Sequence, residues 1–262
     1  MMTWLWRGFT LLLLGWSSAL WAAGASTEAP NIAAAANIKF AMDEIVKNYQ
    51  QASGHHLRVS YGSSGNFVAQ IKHGAPFQLF LSADEKYVDA LQHAGMTQDN
   101  GVVYAYGRLA LVAPKNSPLT LDEDLSGLKA LLASGKLSRF AIANPAHAPY
   151  GERAKQLLQH HGLWQDLQPA VVYGENVSQA AQFALSGSAQ GGIVALSLAL
   201  APQFQARGRY LALPQEQHRP LTQRMVLLNN AGSVAQDFFQ YLQSEPARAV
   251  FSAYGFGLPK VP

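Results

Sequence analysis

Four short polar stretches hold the residues with which this sequence could do chemistry. Asn37 follows an apolar run at 31–35, and Ser63-Ser64-Gly65-Asn66 follows a second run at 56–61. Pro149-Tyr150-Gly151 precedes a helical stretch that starts at Glu152, and Asn176-Val177-Ser178 precedes the next. Ser, Asn and Gly are ordinary residues at helix starts, so any one of these stretches says little. Their repetition at one kind of place, where a strand hands over to a helix, says more. Helix N-termini leave backbone N–H groups unpaired and carry the positive end of the dipole. In open α/β sheets they gather beyond the carboxyl ends of the strands, where ligands lie. A group of such termini is a site for an anion. None of the stretches has Lys or Arg at its expected cap; the nearest basic residues, Lys39 and Arg153, sit inside the helices that follow. An anion held there would be bound by amides and hydroxyls, and hydrogen bonds to a charged group contribute roughly 1.5–3 kcal/mol each. Fixed neutral donors also select on radius, because they cannot follow a smaller ion inward.

The elements that must position these stretches alternate along the chain. Short β-like runs at 31–35, 56–61, 78–81, 140–143, 170–173 and 192–195 are separated by segments of helical period, which predicts an α/β fold with mostly parallel strands. Phe40, Met42, Ile45, Val46 and Tyr49 give the first helix its apolar stripe. Further helices are expected at 67–73, at 84–93 with Ser82 as its cap, at 152–161 and at 178–185. Two apolar runs flank Gly107-Arg108, and Pro114-Lys115-Asn116-Ser117-Pro118 then breaks the chain, so a crossing between two lobes is expected here. A returning strand at 224–228 and helices at 234–242 and 247–254 close the sequence.

With 262 residues, 49% of them apolar and 13% charged, the chain can bury one large or two modest cores. Its start differs from that average. Arg7 is the one charge before Glu28, a greasy run reaches Trp21, and small residues follow at Ala22-Ala23-Gly24-Ala25. This is the pattern of a secretory leader, cut between Ala22 and Ala25; the apolar run is shorter than the ~20 residues a spanning helix needs. The absence of cysteine removes thiol chemistry, Cys-based metal sites and lipid attachment at an N-terminal Cys. With 19 basic and 16 acidic residues and no basic stripe interleaved with aromatics, nucleic acid is not an expected partner. His55-His56 and His160-His161 are adjacent pairs without metal-ligand spacing, and Asp122-Glu123-Asp124 reads as an acidic helix start. No Gly-x-Ser-x-Gly elbow or Ser, His and Asp order supports a triad, so a binding protein is favoured over an enzyme.

Ordered motifs extend this reading. Ala33-Ala34-Ala35-Ala36-Asn37, Ser63-Ser64-Gly65 with Gln70-Ile71, and Gly74-Ala75-Pro76-Phe77-Gln78-Leu79-Phe80-Leu81-Ser82-Ala83-Asp84 are followed by the stretch from Asn144 to Gly151. Gly174-Glu175-Asn176-Val177, Gly192-Ile193-Val194 and Tyr254-Gly255-Phe256 complete the set. In this order they resemble the periplasmic molybdate-binding proteins of ABC transporters over nearly the whole mature chain. The resemblance implies a two-lobed periplasmic binding protein of type II, each lobe a mostly parallel sheet flanked by helices, with the ligand in the cleft between lobes. It implies molybdate or tungstate as ligand, with sulfate, phosphate or a small carboxylate as the alternative. It further implies no cofactor, no metal held by protein side chains, delivery to a membrane permease, and a periplasmic monomer. The layout expected is a leader at 1–25, a first lobe at 26–107, a second at 108–220, and a return to the first at 221–262. The family's ligand-binding positions fall on Asn37 with the Ala36 amide beside it, on Ser64, on Tyr150, and on the amide of Val177. This chain departs from the family in three places. Ala195 stands where many relatives have a tyrosine, with Tyr150 as the hydroxyl that compensates; Gln78 replaces an aspartate, read as a change just behind the ligand contacts; and Asn37 offers a side-chain amide where others offer a serine hydroxyl.

Overall fold

The computed structural model describes residues 29–260; the leader and its expected cleavage stretch lie outside the described residues. The strands form two five-stranded sheets. The first has the order β2-β1-β3-β10-β4, built from β1 (Asn31–Ala35), β2 (Arg58–Gly62), β3 (Phe77–Leu81), β4 (Val102–Gly107) and β10 (Leu221–Leu227). The second has the order β7-β6-β8-β5-β9, built from β5 (Leu109–Pro114), β6 (Phe140–Ala143), β7 (Val171–Gly174), β8 (Gly191–Ala195) and β9 (Gly208–Ala212).

In each sheet one strand runs against the other four: β10 pairs antiparallel with β3 and β4, and β5 pairs antiparallel with β8 and β9. Both are the strands that arrive from the other lobe. A chain that crosses over enters the new sheet from the cleft side and must run away from it, opposite to strands that end at the cleft. The remaining strands are linked through helices in the parallel manner expected of βα units.

Alternation along β1 explains how the first lobe is filled. Ile32 and Ala34 point into a core with Met42, Ile45, Tyr49 and Phe238, whereas Ala33 points to the opposite face with Phe67, Phe80 and Val226. Alanine on a strand buried on both faces lets the flanking helices approach closely. In the second lobe one core gathers β5, β6 and β8 with Leu128, Leu157, Leu158 and Trp164.

Several local expectations change. The helix after β3, α3 (Glu85–Gln92), is capped by Asp84, whose carboxylate accepts from Lys86 N at 3.0 Å, and not by Ser82. Ser82 instead donates to the Asp84 carbonyl and shapes the turn that presents the cap. Gln78 lies at the far end of β3 from the cleft and accepts from Gly232 N at 3.0 Å, so it supports the start of the closing helix rather than the ligand contacts. Helix α4 (Ser126–Ala133) and strand β9 had no strong local signal. The acidic stretch before α4 does serve its start, with Asp122 accepting from Gly127 N at 2.8 Å and Asp124 from Ser126 N at 3.2 Å. Among the described residues no helix is long and apolar enough to cross a membrane.

Candidate functional site

The carboxyl ends of β1, β2 and β3 face those of β6 and β7 across the junction of the two lobes. A small cavity lies between them, lined by Ala35, Ala36, Asn37, Gly62, Ser63, Ser64, Ala83, Ala148, Pro149, Tyr150 and Val177. All five residues expected from the sequence, Ala36, Asn37, Ser64, Tyr150 and Val177, line this one cavity, and no charged side chain does.

Each element delivers its residue for a local reason. Helix α2 (Ser64–Lys72) is capped by Ser63, whose hydroxyl accepts from Asn66 N at 3.4 Å, which leaves Ser64 free of capping duty. Ser64 Oγ accepts from Ala83 N at 3.0 Å, so its own proton is available to another acceptor. Helix α5 (Pro149–His160) starts with Pro149, which has no N–H, behind Ala148, which supplies no side-chain cap. The first-turn amides of Tyr150 and Gly151 therefore have no capping side chain. Helix α7 (Val177–Leu185) is capped by Asn176, which accepts from Ser178 N and Gln179 N and leaves Val177 at the first helical position outside that pair. Asn37 sits in the 3₁₀ turn Ala36–Ile38, ahead of α1 (Lys39–Ser53).

Asn37 is buried, and its side-chain nitrogen already has two protein acceptors: Gln223 Oε1 at 3.0 Å and Tyr150 Oη at 3.3 Å. The side-chain amide expected to face a ligand thus spends both its N–H groups inside the protein and ties the first lobe to Tyr150 of the second. Ser197 Oγ donates to the Asn37 carbonyl at 2.7 Å and holds the turn from behind. Burial pushes the Tyr150 hydroxyl well above its ordinary range, so it stays protonated and can donate.

The lobes meet around the cavity rim. Gly65 N donates to the His147 carbonyl at 3.0 Å, Ser63 Oγ lies 3.0 Å from His147 Nδ1, and Asn66 Nδ2 donates to Glu175. A Cβ on Gly65 would stand 2.7 Å from the His147 carbonyl oxygen, so this approach requires glycine. Opposite, Arg153 pairs with Asp84, and Glu152 is held by Lys86 and Arg219. Burial raises the Glu152 carboxyl, but the Lys86 hydrogen bond and the charges of Arg153, Lys86 and Arg219 outweigh it and leave the net value lowered. The two cations nearest in sequence to the cavity each have a carboxylate of their own, Lys39 at 2.8 Å from Asp43 and Arg153 paired with Asp84. Among the described residues no cluster of three or more His, Asp or Glu side chains could hold a metal ion.

Residues with a part in this junction that sequence reading missed are Gln223, Tyr104, Ser197 and His147. Gln223 could have been found, since Leu221, Gln223, Met225 and Leu227 form the buried face of β10 and Gln223 is its one polar member.

Two α/β lobes joined by crossings, with paired strand ends and helix starts enclosing a small cleft cavity, define a cleft-binding protein for small solutes. Residues 30–257 match the model of the bacterial extracellular solute-binding protein family. The chain belongs to that family. It is 33% identical to the molybdate-binding protein ModA of Azotobacter vinelandii over 94% of this chain and 97% of that protein. It is 32% identical to the molybdate-binding protein ModA of Rhodobacter capsulatus over 95% of each. The solved structure of the periplasmic molybdate-binding protein of Azotobacter vinelandii matches with a TM-score of 0.80 at 30% identity, covering 88% of this chain and all of that one.

Proposed function

We propose that this protein captures a tetrahedral oxyanion, molybdate or tungstate, between its lobes and delivers it to the membrane permease of an ABC transporter. The observation that carries the reading is the lining of the cleft cavity: hydroxyls of Ser64 and Tyr150 and the helix-start residues Ala36, Asn37 and Val177, with no cation among them. A dianion fits such a lining because several aimed neutral donors, at roughly 1.5–3 kcal/mol each, offset its desolvation. Relatives about one-third identical are molybdate-binding proteins, which supports the choice of anion.

In this mechanism the ligand bridges donors of both lobes and shifts a hinge equilibrium toward the closed form, and the closed form docks on the permease. The hinge is assigned to Arg108, between β4 and β5, and to the segment that joins β9 to β10. The leader at 1–25 exports the chain, and the mature protein works as a periplasmic monomer without catalysis.

Calorimetric titration of the purified mature protein with four anions tests the reading. Tight binding of molybdate and tungstate, with sulfate and phosphate much weaker, is expected. A preference for sulfate or phosphate, or no binding of any of the four, would overturn it.

A further inference from the structure

Behind the cavity, on β10, Gln223 is fully buried and does not itself line the cavity. Its carbonyl oxygen accepts from Tyr104 Oη at 2.8 Å and from Asn37 Nδ2 at 3.0 Å. With the oxygen engaged on that side, its nitrogen is turned the other way and donates to Tyr150 Oη at 3.1 Å. Tyr150 Oη also accepts from Asn37 Nδ2 at 3.3 Å. A phenol oxygen that accepts two N–H groups has its lone pairs occupied, and its single proton is left for a third partner.

The space around this triangle is fixed. Gly107 ends β4 at this point, and a Cβ there would lie 2.3 Å from Tyr150 Oη and 2.6 Å from Gln223 Nε2. Tyr150 and Gln223 come from different lobes, so the arrangement exists when the lobes are together.

We infer that Gln223 is a positioning residue of the anion site: by donating to Tyr150 Oη it turns the hydroxyl proton of Tyr150 toward the cavity, where an anion accepts it. This rests on the reading of the cavity as the oxyanion site and adds the device that aims one of its donors. With a group at 223 that accepts instead of donating, the Tyr150 proton would turn to that group and be lost to the ligand.

The test is a calorimetric cycle with molybdate on the wild type, Gln223→Met, Tyr150→Phe and the double variant. The wild-type titration decides the binding reading by itself, before any variant is compared. Gln223→Met is expected to weaken binding about tenfold in the wild-type background and threefold or less when Tyr150 is already phenylalanine, because the hydroxyl it aims is gone. No loss in the wild-type background, or the same loss in both, would overturn the inference, since a residue that only supports the fold acts equally in each. If Gln223→Met does not fold, Gln223→Glu takes its place with pH as the readout. A protonated carboxyl donates as the amide does and an ionised one cannot, so affinity should fall tenfold or more as pH rises from 5.5 to 8.5, against a twofold change or less in the wild type. A flat profile for Gln223→Glu would overturn the inference as well.

Discussion

Asp84 and Arg153, 69 residues apart in sequence and on opposite sides of the cleft, form a buried ion pair with side chains 6% and 4% exposed. Asp84 at the same time caps α3, and Arg153 Nε reaches the Pro220 carbonyl at 3.3 Å beside the second crossing. One pair therefore joins a helix start of the first lobe, a helix of the second and the segment between them. Removing one partner of a buried pair costs about 3–5 kcal/mol, because the other is left as an unpaired charge. Here the lobes can part and let water reach it.

Arg153→Met is accordingly expected to shift the lobes open and weaken molybdate binding at least tenfold, while Asp84→Asn/Arg153→Met recovers part of the loss. Small-angle scattering with and without molybdate measures the opening, and titration measures the affinity. A single variant as compact and as tight as the wild type would show that the pair plays no part in closure.

Gly65→Ala isolates closure from folding. Gly65 lies in the first turn of α2, where alanine is a better helix former, yet the added methyl would meet the His147 backbone at 2.7 Å across the cleft. The ligand-free variant should melt no lower than the wild type, and its affinity for molybdate should fall tenfold or more. Equal affinity would mean that the rim does not close as tightly as described.

The βα order and the polar strand ends were legible in the sequence because their signals are local: an apolar run, then a capping residue, then a helical stripe. What was not legible depends on partners far along the chain. Gln223 gains its meaning from Asn37, 186 residues away, and the expected strand at 224–228 began just past it. Ser82 and Asp84 are both good caps; Asp84 stands immediately before the helix and accepts from Lys86 N, while the Ser82 hydroxyl is taken up by the Asp84 backbone. The strand that runs against its sheet in each lobe was hidden because strand direction is set by the crossing rather than by composition.

Ser64→Ala deletes a hydroxyl that accepts from Ala83 N and faces the cavity. Loss of a donor to a buried charge costs about 1.5–3 kcal/mol, so affinity should fall by over tenfold, with a thermal transition that stays cooperative but moves down because Ala83 N–H loses its acceptor. Unchanged affinity would place the anion elsewhere.

His218, buried beside the second crossing, has its pKa lowered from 6.5, chiefly by desolvation, with the Arg153 charge adding to this and the Arg219 carbonyl opposing it. In the window between the lowered value and 6.5 the unfolded chain binds a proton that the folded chain refuses. The stability His218 allows is thus complete above that window and falls as pH drops through it. Melting temperatures from pH 8 to pH 5 should decline less steeply for His218→Gln than for the wild type; parallel curves would contradict this assignment.

The central claim is that a dianion rests in a cavity without a cation. A crystal structure of the mature protein with molybdate, with the metal located by its anomalous scattering, tests it most directly. The account predicts one strong peak between Ser64, Tyr150 and Val177, with amides and hydroxyls as its partners. A peak beside a lysine or arginine side chain, or an empty cleft with the metal bound elsewhere, would contradict it.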